Sequence, residues 1–351
     1  MRLFKSRCRL STGVATFIAL FSSSFVSGDP PPAPQLIPKP AESSEAVYQP
    51  QALMTGGTVI PLFPPDSPFL NSARLHEAEI YEMHGQVPGR IQRLKNVHNP
   101  SIEIHPVERG SNTGAAIILM PGGGHHHLGV AAAGTDMVPY FYNYGITTFI
   151  LRYRLRDDGY IAEVDAVNDA LQAIRLIRSR AAEWGIDPLK IGVFGSSAGG
   201  EVATGTALNY SNFDTTYRST DDPLAGVSSR PDFVGLLYTG PSDLTRNPAK
   251  AIPADVPPAF IACPSYGEDR HANWSLDYYL GMLEQNVPNL ELHLYGTGTH
   301  GGGLKDRKGI PFGSWQEHYI DWFRDLGFLE KPGTPTKAAA DTAAALKLPK
   351  A

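Results

Sequence analysis

The most informative part of this chain is the stretch Ile191-Gly192-Val193-Phe194-Gly195-Ser196-Ser197-Ala198-Gly199. It opens with an apolar run, and the small-residue segment 200–207 follows it. An apolar strand, a G-x-S-x-G turn and a helix of small residues are typical of a sharp bend that lifts a serine hydroxyl clear of a sheet. The pattern therefore predicts that Ser197, at the central position of the turn, is a nucleophile.

A serine hydroxyl needs a base within hydrogen-bonding reach and a third group that orients the base. In this type of fold the chain order is serine, acid, histidine. His300 follows a predicted late strand and has glycines on both sides, so we expect it to be the base. The acid should follow the predicted strand that ends at Cys263, where Glu268 and Asp269 are adjacent. Residue type favours Asp269 and loop spacing favours Glu268, so both remain candidates.

A glycine-rich loop, Pro121-Gly122-Gly123-Gly124, directly follows another predicted strand. Backbone N–H groups can stabilise the oxyanion that forms when a carbonyl carbon is attacked. We expect the N–H groups of Gly123 and Gly124, together with that of Ala198 after the nucleophile, to form such an oxyanion hole.

Three further residues are predicted to contact substrate. His125 begins the run His125-His126-His127, which we expect at the mouth of the cleft. Consecutive side chains point in different directions, so this run does not indicate a metal site, and we predict neither a metal nor a cofactor. Arg270 and Trp274 lie just beyond the acid, and Trp274 is a candidate for stacking on a sugar or aryl ring.

Strand-like runs alternate with helical patterns along the middle of the chain, which predicts a mostly parallel sheet with helices on both faces. The helical pattern at 165–184 ends before Gly185 and leads into the strand that precedes Ser197. A closing helix is expected at 315–326. The remaining predicted strands are 101–107, 115–120, 147–151, 233–237, 259–263 and 290–295.

The two ends of the chain differ in composition from the middle. Residues 1–28 combine four basic residues with a short apolar stretch and small residues, as in a secretory signal peptide rather than a membrane anchor. Residues 29–68 are rich in proline and predict a spacer whose last part lies on the domain. Residues 331–351 have few large apolar side chains, which predicts a disordered tail. A single catalytic domain is expected at 69–330.

The composition of the 351 residues limits the class of partner. A net charge of -5, with both signs interspersed, provides no basic stripe for nucleic acid. Together with the predicted signal peptide, this indicates an exported protein, periplasmic or secreted; that its partner is a small-molecule or polysaccharide ester is implied only by the resemblance described next.

The stretch 102–326 resembles the esterase/lipase branch of the α/β-hydrolase fold. In particular it looks like the group of small bacterial carbohydrate esterases that includes acetylxylan and feruloyl esterases. The motifs that carry this resemblance are Met120-Pro121-Gly122-Gly123-Gly124-His125, Trp184-Gly185-Ile186-Asp187-Pro188, Gly195-Ser196-Ser197-Ala198-Gly199-Gly200, Glu268-Asp269-Arg270 and Thr299-His300-Gly301. Pro121 stands where many members of the lipase branch have histidine, which fits the carbohydrate-esterase group, and Glu201 stands where related esterases often have histidine. The resemblance implies deacylation of a carbohydrate ester, acetyl or feruloyl.

Two other functions are compatible with the same residues. An exopeptidase can use this fold and the same three side chains, but it is expected to carry a domain that restricts access, and residues 29–100 are too short for one. A hydrolase fold that only binds ligands needs neither Ser197 nor His300, both of which are present.

Overall fold

The computed structural model describes residues 46–108, 110–217, 222–304 and 309–348. The predicted signal peptide and residues 29–45 of the predicted spacer lie outside these ranges. Within the described residues, no helix has both the length and the apolar composition needed to cross a bilayer.

Ten strands and seven α-helices are present in the described part of the chain. The strands are β1 (Thr58–Pro61), β2 (Ile80–Met83), β3 (Ile91–Lys95), β4 (Ser101–His105), β5 (Ala116–Met120), β6 (Thr147–Arg152), β7 (Ile191–Ser196), β8 (Val234–Leu237), β9 (Ala259–Pro264) and β10 (Glu291–Tyr295). The helices are α1 (Val138–Tyr142), α2 (Ala162–Ser179), α3 (Ala198–Tyr217), α4 (Asp243–Arg246), α5 (Asp269–Glu284), α6 (Trp315–Asp325) and α7 (Lys337–Ala345). Short 3₁₀ turns lie at Ser72–Arg74, Ala181–Trp184 and Pro311–Ser314, and a π-helical turn at Ala131–Thr135.

Eight strands form one sheet in the order β1-β4-β6-β5-β7-β8-β9-β10. The pairs β1–β4 and β4–β6 are antiparallel and all the other pairs are parallel. Strands β4 to β9 are buried along their whole length, as expected for a sheet covered by helices. The prediction of an α/β fold with a mostly parallel sheet is confirmed.

Aromatic side chains join the helices to the centre of the sheet. On β7, the ring of Phe194 makes edge contacts with Phe141 of α1 and with Tyr319 of α6, at centroid distances of 5.8 and 5.1 Å. Helix α2 packs against α3, and Gly205 gives α3 room for the side chain of Val167. These contacts fix β7, and with it the turn that follows, in the middle of the sheet.

The predicted boundary at residue 69 is wrong, because the sheet begins within the predicted spacer. Strand β1 pairs with β4 at the sheet edge, where a proline at its end removes no ladder hydrogen bond from a central strand. Behind it, buried Arg152 lies 2.9 Å from Glu103 Oε2 and 3.5 Å from Glu79 Oε2. Glu103 also accepts the N–H of Leu53 at 2.6 Å, so this segment is attached to the sheet by buried charge.

The predicted disordered tail is also wrong for residues 337–345, which form α7. Thr336 caps this helix by accepting the N–H of Ala339 at 3.1 Å, and Ala338 and Thr342 are buried. The expectation of disorder rested only on the small number of large apolar side chains in this segment. Alanine is the best helix former, and its small side chain lets a helix pack closely.

Candidate active site

Ser197 lies between β7 and α3 in a left-handed backbone conformation, with φ of 54°. Such a conformation is uncommon for a residue with a side chain and marks a strained turn. The neighbouring glycines allow it. A Cβ on Gly199 would lie 1.9 Å from the carbonyl oxygen of Met120, and one on Gly195 would lie 2.2 Å from that of Gly199. Strand, turn and returning helix therefore pack too closely for any other residue at these two positions.

The structure brings His300 and Glu268 to Ser197. The imidazole Nε2 of His300 lies 3.0 Å from Ser197 Oγ, and its Nδ1 lies 2.8 Å from Glu268 Oε2. Because a carboxylate can only accept, Nδ1–H donates to Glu268, and Nε2 is then the acceptor for the serine hydroxyl. This is the geometry in which an oriented imidazole can take a proton from a nucleophile.

Of the two acid candidates, Glu268 rather than Asp269 contacts the histidine. Glu268 immediately precedes α5, and its side chain is 14% exposed. Asp269 is the first residue of α5 and is exposed. The loop between β9 and α5 thus directs the first carboxylate of the pair inward and the second outward.

The glycine loop after β5 lies over the serine. A Cβ on Gly122 would lie 2.9 Å from Ser197 Cβ, and one on Gly123, where φ is 145°, would lie 2.0 Å from the carbonyl oxygen of His127. Gly123 and Gly124 line a cleft of about 460 Å³ together with Ser197 and His300. The third predicted oxyanion donor, Ala198, is the first residue of α3.

The prediction that His125 contacts substrate at the cleft mouth is wrong. Its side chain is buried, with Nε2 3.2 Å from Glu201 Oε2 and the ring against Tyr153. The cause is local, because φ of 62° at His125 turns this side chain inward. His127 lines the cleft instead, and burial lowers the pKa of its imidazole.

Arg270 and Trp274 are not among the residues that line the cleft holding Ser197. Arg270 is exposed and lies over the Trp274 ring at 5.6 Å. It lines a second recess, of about 380 Å³, to which Glu268, His271 and His300 also contribute. The predicted substrate contacts of these two residues therefore do not fit the cleft.

No sequence motif pointed to His271, whose ring lies against the imidazole of His300. Its Nδ1 donates to the carbonyl oxygen of Thr239 at 3.0 Å, and its ring centroid lies 4.5 Å from that of His300. Burial is the main cause that lowers its pKa, so the ring is held neutral. The only sequence signal is its spacing three residues after Glu268, on the first turn of α5.

Glu268, His271 and His300 also offer three potential metal-ligand atoms within 4.8 Å of one another. In this structure the His300 nitrogen and the Glu268 oxygen are already hydrogen-bonded to each other. The absence of a metal from the chemistry stays a prediction.

The hairpin of β2 and β3 also contributes to the cleft, and no motif in the sequence pointed to it. Its contributions to the lining are His84, Arg90, Gln92 and Arg93. Their only sequence signal is a polar hairpin ahead of the first buried strand.

The strand order of the sheet, the turn at Ser197 and the glycine loop are those of the α/β-hydrolase fold. Residues 102–256 match the family model BD-FAE. The chain is 30% identical over 233 residues to an acetylxylan esterase of Xylanibacter ruminicola, a match that covers 61% of this chain and 45% of that protein. It is also 30% identical over 99 residues to endo-1,4-beta-xylanase B of Butyrivibrio fibrisolvens, covering 28% of this chain and 15% of that protein. The matches thus span less than half the length of either relative.

Solved structures agree with this assignment. An acetyl ester-xyloside bifunctional hydrolase from Caldicellulosiruptor lactoaceticus superposes with a TM-score of 0.62 at 25% identity, covering 77% of this chain and 97% of that one. A carboxylesterase from Lactobacillus plantarum, at 18% identity and a TM-score of 0.55, covers 72% of this chain and 98% of that one and supports the fold alone. The chain therefore has the α/β-hydrolase fold and is similar in sequence to an acetylxylan esterase, so the resemblance noted in the sequence is confirmed.

Proposed function

We propose that this protein is a serine carboxylic-ester hydrolase that deacylates a carbohydrate ester. The observation that carries the proposal is the continuous chain of contacts from Ser197 Oγ to His300 Nε2 at 3.0 Å and from His300 Nδ1 to Glu268 at 2.8 Å. No cofactor takes part in the proposed reaction.

In the first half of the reaction, Ser197 Oγ attacks the ester carbonyl carbon while His300 Nε2 accepts the hydroxyl proton. Glu268 holds Nδ1–H and stabilises the imidazolium that forms. The negative oxygen of the tetrahedral intermediate is bound by the N–H groups of Gly123, Gly124 and Ala198. The C–O bond to the alcohol then breaks, and His300 returns the proton to the leaving oxygen.

In the second half, a water molecule attacks the acyl-serine and His300 again serves first as base and then as acid. The carboxylic acid leaves with the acyl group, and the Ser197 hydroxyl is restored. The same three side chains and the same backbone N–H groups serve both halves of the reaction, so the proposed mechanism needs no further catalytic group.

The likeness to an acetylxylan esterase and to an acetyl ester-xyloside hydrolase supports the proposed substrate class. Acetyl and feruloyl esters of a plant-type polysaccharide are the proposed substrates. The signal-like composition of residues 1–28 supports export to the periplasm or the medium, where such polymers are met.

Hydrolysis of 4-nitrophenyl acetate by the purified protein tests the proposal. Ser197→Ala should lower the rate by about 10³-fold or more, because it removes the attacking oxygen. The matched control is Ser196→Ala, which removes the neighbouring hydroxyl and should keep most of the rate. Equal rates for the wild type and Ser197→Ala would exclude the serine mechanism.

A further inference from the structure

The described lining of the cleft over Ser197 differs in charge from the chain as a whole, which carries a net charge of -5. Two arginines, Arg90 and Arg93, lie among these lining residues. None of these lining residues is Asp or Glu. His127 also faces the cleft, and its lowered pKa keeps it neutral, as a hydrogen-bonding group. Asp136 neutralises the charge of Arg90, so the excess positive charge of this lining comes from Arg93.

Both arginines lie on one wall of the cleft, and this wall is hydrogen-bonded to the segment that follows the glycine loop. The wall is the β2–β3 hairpin, residues 80–95, which lies ahead of the residues that match the family model. Leu94 and Leu128 exchange two backbone hydrogen bonds, at 3.0 and 2.9 Å, so β3 is tied to the segment that follows the glycine loop. Arg90 is held in turn by Asp136 at 2.5 Å. Arg90 and Arg93 are thus both positioned relative to the glycine loop.

Arg93 keeps hydrogen-bonding capacity for a ligand. It lies 3.5 Å from Glu82, which makes its closer contact, at 2.6 Å, with Lys95. The side chain of Arg93 is 46% exposed. Arg90 is instead paired with Asp136 and its Nε–H is buried, so Arg93 is the arginine more accessible to a ligand in the cleft.

We propose that the cleft selects esters whose sugar part carries a carboxylate, that is, esters of oligosaccharides that contain a uronic acid. This inference rests on the proposed esterase function and specifies its substrate. The guanidinium fork matches the geometry of a carboxylate and forms paired, charge-assisted hydrogen bonds with it. A neutral sugar offers only hydroxyl groups to the same wall.

The test compares two substrates that differ in one group. One is an acetylated xylo-oligosaccharide with a uronic acid branch, and the other is the same compound with its carboxyl group reduced to an alcohol. The wild type should hydrolyse the acidic ester with a kcat/KM about tenfold higher, the gain expected for one charge-assisted hydrogen bond. Arg93→Gln should bring the ratio of the two values close to one.

Lys95→Gln is the matched control, because Lys95 shares Glu82 with Arg93 but does not line the cleft. It should leave the ratio as in the wild type. A wild-type ratio near one, or an equal loss of the ratio in Arg93→Gln and Lys95→Gln, would overturn the inference while leaving the esterase proposal intact. Failure of the esterase proposal is distinct, since neither ester would then be hydrolysed in a manner that depends on Ser197.

Discussion

Among single residues, the identity of the carboxylate that faces His300 determines which side chain can orient the imidazole. Glu268 and Asp269 are adjacent in sequence, yet only Glu268 lies at hydrogen-bonding distance, 2.8 Å, from the imidazole. Composition and spacing could narrow the acid to this pair but not choose between them. The choice depends on the loop backbone at the start of α5, which a sequence pattern does not specify.

Exchange of each carboxylate for its amide tests this assignment. Glu268→Gln should lower kcat by about 10²–10⁴-fold, because an amide no longer orients the imidazole or stabilises its positive form. Asp269→Asn, on the exposed side of the same turn, should stay within a few-fold of the wild type. Steady-state hydrolysis of an acetyl ester measures both, and a larger loss in Asp269→Asn would reverse the assignment.

Another residue, His98, makes stability depend on pH. Its ring is buried, bonded to Tyr160 Oη at 2.8 Å and to Asn96 Oδ1 at 3.0 Å, and burial lowers its pKa to about 4. A histidine in the unfolded chain titrates near ~6.5. Between these values only the unfolded chain binds the proton, so the free energy of unfolding falls as the pH falls from about 6.5 to about 4.

Urea unfolding of the wild type and of His98→Gln at several pH values measures this effect. The difference between their unfolding free energies should shrink by on the order of 2 kcal/mol between about pH 7 and about pH 4, because glutamine does not titrate. Parallel curves for the two proteins across that range would show that His98 is not the cause.

At the scale of elements, the turn between β7 and α3 is the part of the site that sequence described best. G-x-S-x-G is a local pattern, and its demands are steric, so the residues themselves reveal the strained φ of Ser197. The prediction that His125 contacts substrate was wrong because its side-chain direction is not set by a local pattern. Whether a loop side chain turns inward depends on one backbone angle, here φ of 62°, and on a distant partner, Glu201.

The close packing at this turn leads to a stability prediction. Gly199→Ala should destabilise the protein by about 3 kcal/mol or more, since the new methyl group would overlap the carbonyl oxygen of Met120. Gly226→Ala is the control, because a Cβ there has nothing within 4 Å, and it should change stability by about 0.5 kcal/mol or less. Thermal or urea unfolding measures both, and equal effects would contradict the steric account.

At the scale of the whole molecule, the parallel core was predictable and the additions at its ends were not. Buried parallel strands are mostly apolar runs, and the sequence predicted a strand at each of β4 to β10, including β4 and β10, where polar and apolar residues alternate. Strand β1, the β2–β3 hairpin and α7 have no such signal. They are held by long-range contacts, such as Arg152 with Glu103 and Leu94 with Leu128, which join residues far apart in sequence.

These additions bear on function as well as on stability. The turn after β7 and the loops after β9 and β10 carry Ser197, Glu268 and His300, whereas the hairpin places Arg90 and Arg93 in the cleft. The proposed chemistry and the proposed selectivity therefore depend on different parts of the chain. The first is predictable from a motif, and the second requires the assembled structure.

Covalent labelling with a fluorophosphonate, which phosphonylates an activated serine oxygen and releases fluoride, tests whether Ser197 is the nucleophile. Peptide mass mapping should find one adduct, on Ser197. The adduct should remain in Ser196→Ala and be absent in Ser197→Ala. An unlabelled wild type, or equal labelling of Ser197→Ala, would contradict the claim that this oxygen is the nucleophile.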